Sequence, residues 1–318
     1  MIEIQKDNHQ NNIEDGIELM ELFHILFNKK WIIFSITAFT SIAGIIYSLS
    51  LPNIYESRAI LAPVDSSNSI SSALRSYSGI AGLAGINIAQ GSDEGNSKKA
   101  IQKLNSLSFF ENNIIRNIFL PNLMAVKSWD SKTNSVVYDK NIYIKESNTW
   151  KRETSEFKTQ IPSSQESFKA FQAKHLNISE DISTGFLTLS IKHQSPVIAK
   201  KWAELMINEV NSFYRKKDKL ASEKAVSYLN QQISGTALSE IKIVMAELLQ
   251  EETKKLTLIE ANEYYVFDYI DPPAIMEQKS GPNRLLICVT FALFGGILSI
   301  LLVFIQHYFF KRTFVGIK

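Results

Sequence analysis

The chain has 318 residues, 45% of them hydrophobic, with 34 Lys and Arg against 32 Asp and Glu and a formal net charge of +2. That balance leaves no basic stripe and excludes the electrostatic footprint of a nucleic-acid partner. One cysteine, Cys288, rules out an intramolecular disulfide and a Cys-based metal site.

The charge is unevenly spread. Trp31 to Leu51 and Leu285 to Ile305 contain no Asp, Glu, Lys or Arg. Each window, as a helix, would span roughly 30 Å, the thickness of a bilayer's hydrocarbon core. The sequence therefore predicts a membrane protein with two crossings. Two crossings exclude a multi-helix transporter or a channel within one chain, and they argue against a membrane-embedded enzyme. A cleaved signal peptide is the alternative for the first window, but thirty residues rich in acid precede it and the apolar run is longer than a signal h-region. An anchor is expected. Lys29, Lys30, Lys311, Arg312 and Lys318 flank the windows on their terminal sides, against Arg58, Lys279 and Arg284 on the loop side. This bias points both termini to the cytoplasm. The expected organisation is a cytoplasmic segment 1–30, a transmembrane helix 31–51, a periplasmic or external domain 52–284, a second transmembrane helix 285–305 and a cytoplasmic tail 306–318.

Before the first window, Asp15 and Glu18 form a D-x-x-E start, followed by Ile17, Met20, Phe23 and Phe27 at helical spacing. A short amphipathic helix lying at the membrane interface is expected, with docking to a cytoplasmic partner as the other reading. Small residues recur four apart in both windows: Thr40, Gly44 and Ser48, then Ala292 with Gly296 and Gly295 with Ser299. Such stripes let helix backbones approach closely in lipid.

After the first window, Ile54 to Val64 is rich in β-branched and aromatic residues and reads as a strand. Ser66 to Ser97 is dense in Ser and Gly around an apolar island, Ile80 to Ile88. It reads either as a flexible loop or as a mobile segment that packs only inside an assembly. Gly185 to His193 alternates, with Leu187, Leu189 and Ile191 on one face, and Tyr264 to Asp271 is a third strand stopped by Pro272 and Pro273. Pairing of the first and third strands would close an α+β base from both ends of the domain.

From Pro196 the pattern turns helical. Ile198, Trp202, Met206, Val210 and Phe213 step by three or four, as do Ala221, Ala225 and Tyr228, and then Leu238, Ile241, Met245 and Leu248. No proline occurs from Val197 to Asp271, and Gly235 is the one interior glycine, so one or two long helices are predicted over about 196–263. Unbroken, they would reach roughly 90 Å. A helix of that length must project from a domain of this size, and its apolar stripe needs a returning helix or copies from neighbouring chains.

No catalytic constellation is visible. H-E-x-x-H, G-x-S-x-G and the Walker-type G-x-x-x-x-G-K are absent from the sequence. Neighbouring carboxylates such as Glu251 with Glu252 and Glu260 with Glu263 lie on the helical segment and read as a solvated face. His175 and His193 lie between the windows, and His193 reads as a structural histidine. No cofactor and no metal ligand set is expected.

The order of these features resembles the Wzz-type chain-length determinants, the polysaccharide co-polymerases of bacterial inner membranes. The residues that carry the resemblance are DGIELMELFHILFNKKW (Asp15 to Trp31), LPNIYESRAIL (Leu51 to Leu61), the long helical run, and YYVFDYIDPPAIMEQKSGPNR (Tyr264 to Arg284). It covers nearly the whole chain. It implies an α+β membrane protein: two transmembrane helices flanking a periplasmic α/β base with a long projecting helical arm, assembled as a homo-oligomeric ring. Such rings set the modal length of O-antigen or related lipopolysaccharide and surface polysaccharide without catalysis. Their partners are a Wzy-type O-antigen polymerase, undecaprenyl-linked polysaccharide and membrane lipid. Carried over by position, Pro52 and Tyr55 stand for the family's post-helix proline and aromatic, Pro272, Pro273, Gly281 and Pro282 for its re-entry segment, and Gly295 and Gly296 for its second helix. The stretch Met276 to Ser280 lacks the prolines of denser versions. A related branch carries a cytoplasmic tyrosine autokinase, for which His307 to Lys318 leave no room; a kinase on a separate chain stays open. A sensor would need an output domain that the terminal segments cannot supply. A structural adaptor of ABC-transporter-dependent polysaccharide export remains the competing reading.

Overall fold

The computed structural model describes residues 19–64, 96–156 and 158–315, with side chains from residue 24 to residue 307 of these. The Asp15 and Glu18 start, Ile17 and the Ser/Gly-rich stretch as far as Gly95 lie outside the described residues, as do the side chains of Met20, Phe23, Lys311, Arg312 and Lys318. In chain order the elements are α1 (Leu19–Asn28), α2 (Lys30–Ser50), β1 (Tyr55–Pro63), α3 (Asn96–Leu104), α4 (Leu107–Phe109), α5 (Leu120–Met124), β2 (Val126–Asp130), β3 (Ser135–Tyr138), β4 (Tyr143–Ile144), β5 (Thr149–Trp150), α6 (Ser164–Lys174), β6 (Leu176–Glu180), β7 (Leu187–His193), α7 (Pro196–Gly235), α8 (Ser239–Ala261), β8 (Phe267–Asp271) and α9 (Arg284–Val315). Between α4 and α5 the chain makes a π turn, Phe110–Ile114, and a 3-10 turn, Ile115–Asn117. These elements form two compact units, residues 1–51 with 282–318 and residues 52–281.

The first unit is built on α2 and α9. Both helices are long and apolar enough to cross a membrane. Residues with few polar atoms leave the backbone as the main hydrogen-bonding group, and a helix satisfies it internally, which is what lipid demands.

In the second unit a four-stranded sheet runs in the order β6-β7-β1-β8, every neighbouring pair antiparallel. The three strands expected from the sequence are all in it, and the first and third pair as predicted. The added strand, β6, follows α6 directly and lies on the outer side of β7. One face of the sheet carries Ala59, Leu61, Leu187, Leu189, Ile191 and Phe267, all fully buried. Against this core packs the first half of α7, where Ala199, Trp202, Ala203, Met206, Ile207 and Val210 are also buried. Burying the Leu, Ile, Val, Met and Phe side chains among these stabilises the fold by about 1.5–3 kcal/mol each. Phe109, Phe110, Ile114 and Phe171 close the same core from α4, the π turn and α6. The hairpins β2–β3 and β4–β5 turn through Asn134 and Asn148, both at positive φ, which asparagine tolerates better than most residues. An Arg152 fork on Glu166, two bonds of 2.6 Å, ties the segment after β5 to the first turn of α6.

The long helical segment is two helices. Helix α7 has 40 residues and ends at Gly235; the chain turns through Thr236 to Leu238 and α8 returns for 23 residues. Lys219 on α7 pairs with Glu260 on α8, and the Arg215 guanidinium donates to the carbonyls of Asn262 and Glu263. These polar bonds hold the returning helix near the root of α7, and much of the far half of the stripe stays exposed. Ala221 is exposed where the spacing expected burial, and Ser222 is buried in its place. Tyr228 is 62% exposed and Leu238 60%.

Candidate functional site

Three places in the chain have defined geometry, and the first two bring predicted residues together. The first is the inner edge of the sheet. Pro52 is half-buried, and Tyr55 opens β1 with its ring edge-on to Trp129 at 5.3 Å. On that side of β1, β8 pairs only with Ile60 to Pro63. After β8 the backbone does not leave. Pro272 and Pro273 end the ladder, since they have no N–H to donate, and Pro273 is buried. The chain then continues beside β1: the Ser57 hydroxyl donates to the Ala274 carbonyl at 2.8 Å, and the N–H groups of Ser280 and Gly281 donate to the Ile54 carbonyl. Ile54 N–H in turn donates to Gly281 at 2.9 Å. The re-entry segment is thus an irregular continuation of the sheet edge. A Cβ at Gly281 would meet nothing within 4 Å, so crowding within this chain does not require glycine there.

The second is the close approach of α2 and α9. A Cβ on Gly295 would lie 1.8 Å from Thr40 Oγ1 and 2.8 Å from Thr40 Cβ, and one on Gly44 would lie 2.6 Å from Phe291 Cβ. Both glycines are pinch points where only a hydrogen fits. Ser48 and Ser299 are buried on the same pair, and the Tyr47 and Phe291 rings stand 5.9 Å apart. Of the two stripes on the second helix, the one holding Gly295 and Ser299 faces α2. Gly296 does not share in this contact, because a Cβ there would meet nothing within 4 Å. Adjacent helical positions point about 100° apart, so one of the two glycines had to miss the partner. Pro282 lies just before Asn283, whose side chain caps the start of α9 by accepting the Leu286 N–H.

The third was not singled out from the sequence. Asn211 sits on α7 one residue past Val210, within the buried stripe, and its Oδ1 accepts the N–H groups of both Val266 and Phe267 while its Nδ2 donates to the Phe267 carbonyl. One amide thereby satisfies three backbone groups at the start of β8. A polar residue embedded in an apolar helical stripe was the available signal. Nearby, Tyr265 donates to Asp218 at 2.7 Å, and burial followed by that bond pushes its phenol well above the usual range.

His175 and His193 come together although they are distant in sequence. Their rings stack at 5.5 Å, and the Trp202 ring lies edge-on to both. Burial lowers both, His193 to about 4. Among the described residues, no group of three or more His, Cys, Asp or Glu is placed to hold a metal ion.

Residues 15–115 match the family described as Wzz: Chain length determinant protein. That stretch, about a third of the chain, is similar to the family. It runs through α1, α2, β1 and α3 and includes Pro52 and Tyr55, whereas Pro272, Pro273, Gly281, Pro282, Gly295 and Gly296 lie beyond it. No curated protein matches the chain. Among solved structures, a full-length bacterial polysaccharide co-polymerase aligns over 92% of this chain and 99% of its own, at 12% identity and a TM-score of 0.40. A fragment of WzzB, the polysaccharide co-polymerase from Salmonella Typhimurium, aligns over 72% of this chain and 100% of its own, at 13% identity and a TM-score of 0.30.

Proposed function

We propose that this chain is a non-catalytic regulator of O-antigen or related surface-polysaccharide chain length. It spans the bacterial inner membrane twice, keeps both termini in the cytoplasm and places residues 52–284 in the periplasm. Copies associate as a ring that acts on a Wzy-type polymerase extending undecaprenyl-linked repeats. The observation that carries this reading is the match to the chain-length determinant family over residues 15–115, which spans the first apolar helix and enters the second unit. The apolar pair α2 and α9 supports two crossings, and the exposed apolar residues of the α7–α8 hairpin support association of copies.

Deletion of the gene and complementation test the proposal. The lipopolysaccharide ladder should lose its modal length in the deletion strain and regain it on complementation. An unchanged ladder, with export of finished polysaccharide lost instead, would favour the competing reading of an adaptor to an ABC-transporter-dependent export system.

A further inference from the structure

His193 is the last residue of β7, and Ser195 caps α7 by accepting the Ile198 N–H on its hydroxyl. The Ser195 N–H donates to His193 Nδ1 at 2.8 Å, so that nitrogen is an acceptor and carries no proton. The proton is then on Nε2, which donates to the Asn122 carbonyl in α5 at 2.9 Å. One neutral ring joins the cap of α7, the end of β7 and α5. A second proton would have to go on Nδ1, where it meets the Ser195 N–H, a donor facing a donor.

His175 differs. Its Nδ1 lies 2.6 Å from the Lys192 carbonyl, and the carbonyls of Lys192 and Leu123 favour its charged form. It can take a proton without losing this bond, and the charge would then stand 5.5 Å from the His193 ring. Among the described residues, no unpaired counter-charge is found beside the two rings. Lys174 on α6 adds repulsion. Lys192 on β7 is paired with Glu56 on β1, which Arg58 also holds. Glu204 on α7 is paired with Lys200. Tyr55 is the cross-strand neighbour of His193, α5 has no ionisable side chain, and Trp202 is uncharged.

We propose that His193, with His175 stacked on it, is an acid-sensitive latch that fastens the N-terminus of α7 to β7 and α5. The device goes beyond the proposed function and does not depend on it. Protonation of His193 removes the acceptor of the Ser195 N–H and releases the capped first turn of the helix that carries the hairpin.

The sign follows from linkage. The His193 pKa is lowered in the closed form, from 6.5 to about 4, so the open form binds more protons and gains as pH falls through that window. Between pH 7 and pH 5 the opening equilibrium should rise roughly 20-fold, and it should level off below pH 4. Hydrogen–deuterium exchange on the full chain in mild detergent, corrected for the intrinsic effect of pH, reads this directly. The amides of Ser195 and of residues 197–202 should show the rise. The control is the cap of α6, where Ser163 accepts the Glu166 N–H without a histidine; it should stay flat. In His193→Asn, which keeps an acceptor beside Ser195 but cannot titrate, residues 195–202 should stay flat as well. Equal protection of residues 195–202 at the two pH values, or an equal rise at both caps, overturns the latch, and these readings need only the unmodified protein. A rise in His193→Asn as large as in wild type overturns it too.

Discussion

Replacing Gly295 by alanine adds a single methyl group where the second apolar helix meets the first. Its carbon would lie 1.8 Å from Thr40 Oγ1, 2.8 Å from Thr40 Cβ and 3.2 Å from Thr40 Cγ2. The hydroxyl can swing away at the cost of its bond to the Thr37 carbonyl, but Cβ is fixed to the backbone and cannot. Carbon atoms rest about 3.5 Å apart or more, so α2 and α9 must part by roughly 0.7 Å at this level. A gap of that size forfeits a quarter to a half of each dispersion contact nearby, including the one between Gly44 and Phe291 a turn away. The expected cost is that of overpacking, about 1–3 kcal/mol, or roughly 5- to 150-fold in the stability of the helix pair. Gly296→Ala, one residue on, should cost little within the chain because its methyl would meet nothing within 4 Å. Spin labels at Leu49→Cys and Leu285→Cys, both exposed positions at the same end of the pair, in a Cys288→Ser background, would report the separation during SDS titration in mild detergent. A lower midpoint for Gly295→Ala with Gly296→Ala unchanged is expected. Equal midpoints for the two variants would refute the argument that Gly295 is the pinch point.

Asn211→Ala should destabilise the second unit by roughly 3 kcal/mol or more, since it strands two N–H groups and a carbonyl in a buried place; Asn211→Asp should keep the two N–H bonds but set an oxygen against the Phe267 carbonyl. Urea unfolding of the full chain in detergent, followed by tryptophan fluorescence, checks this, and a loss below about 1 kcal/mol for alanine would contradict it. For the proposed topology, alkaline phosphatase fused after Lys151 should be active and the same fusion after Lys318 inactive; the reverse pattern would sink it.

What the sequence revealed, and what it hid, follows from the range of each signal. Strands β1, β7 and β8 were legible because β-branched and aromatic composition, alternation and a stopping proline act within a few residues. Strand β6 was not, because Leu176 and Ile178 give only two apolar positions in Leu-Asn-Ile-Ser-Glu directly behind a helix. The hairpins β2–β3 and β4–β5 rest on Asn134 and Asn148 in left-handed conformations, a signal present in Asp-Ser-Lys-Thr-Asn but spread over short, half-polar strands. The small-residue stripes of both apolar windows were visible, yet which stripe faces the partner is decided by the rotation of α9. Period alone therefore could not separate Gly295 from Gly296. The stacking of His175 on His193 depends on β6 pairing with β7 and on α7 crossing the sheet, two non-local facts.

The distribution of satisfied and unsatisfied apolar surface bears on the proposed assembly. Exposed apolar residues on α2 and α9 have a natural environment in lipid and demand no protein partner. The hairpin has no such environment if it stands in water. Past Ser222 on α7 and through α8, only Ile259 is buried, while Leu220, Tyr228, Leu238, Ile243 and Leu258 are each at least 41% exposed. Lys219 with Glu260 and Arg215 with the carbonyls beyond α8 fasten the hairpin near its root; the Asn211 amide fastens the chain where it re-enters the sheet. Polar bonds therefore set the direction of the two helices, and burial inside one chain does not account for the apolar residues farther along them. Contact between hairpins of neighbouring copies would bury that surface at about 25 cal/mol per Å², against the cost of bringing chains together. In the proposed topology two crossings in a common membrane hold the copies in one plane and one orientation, which lowers that cost, so an apolar strip on each hairpin would favour the proposed ring.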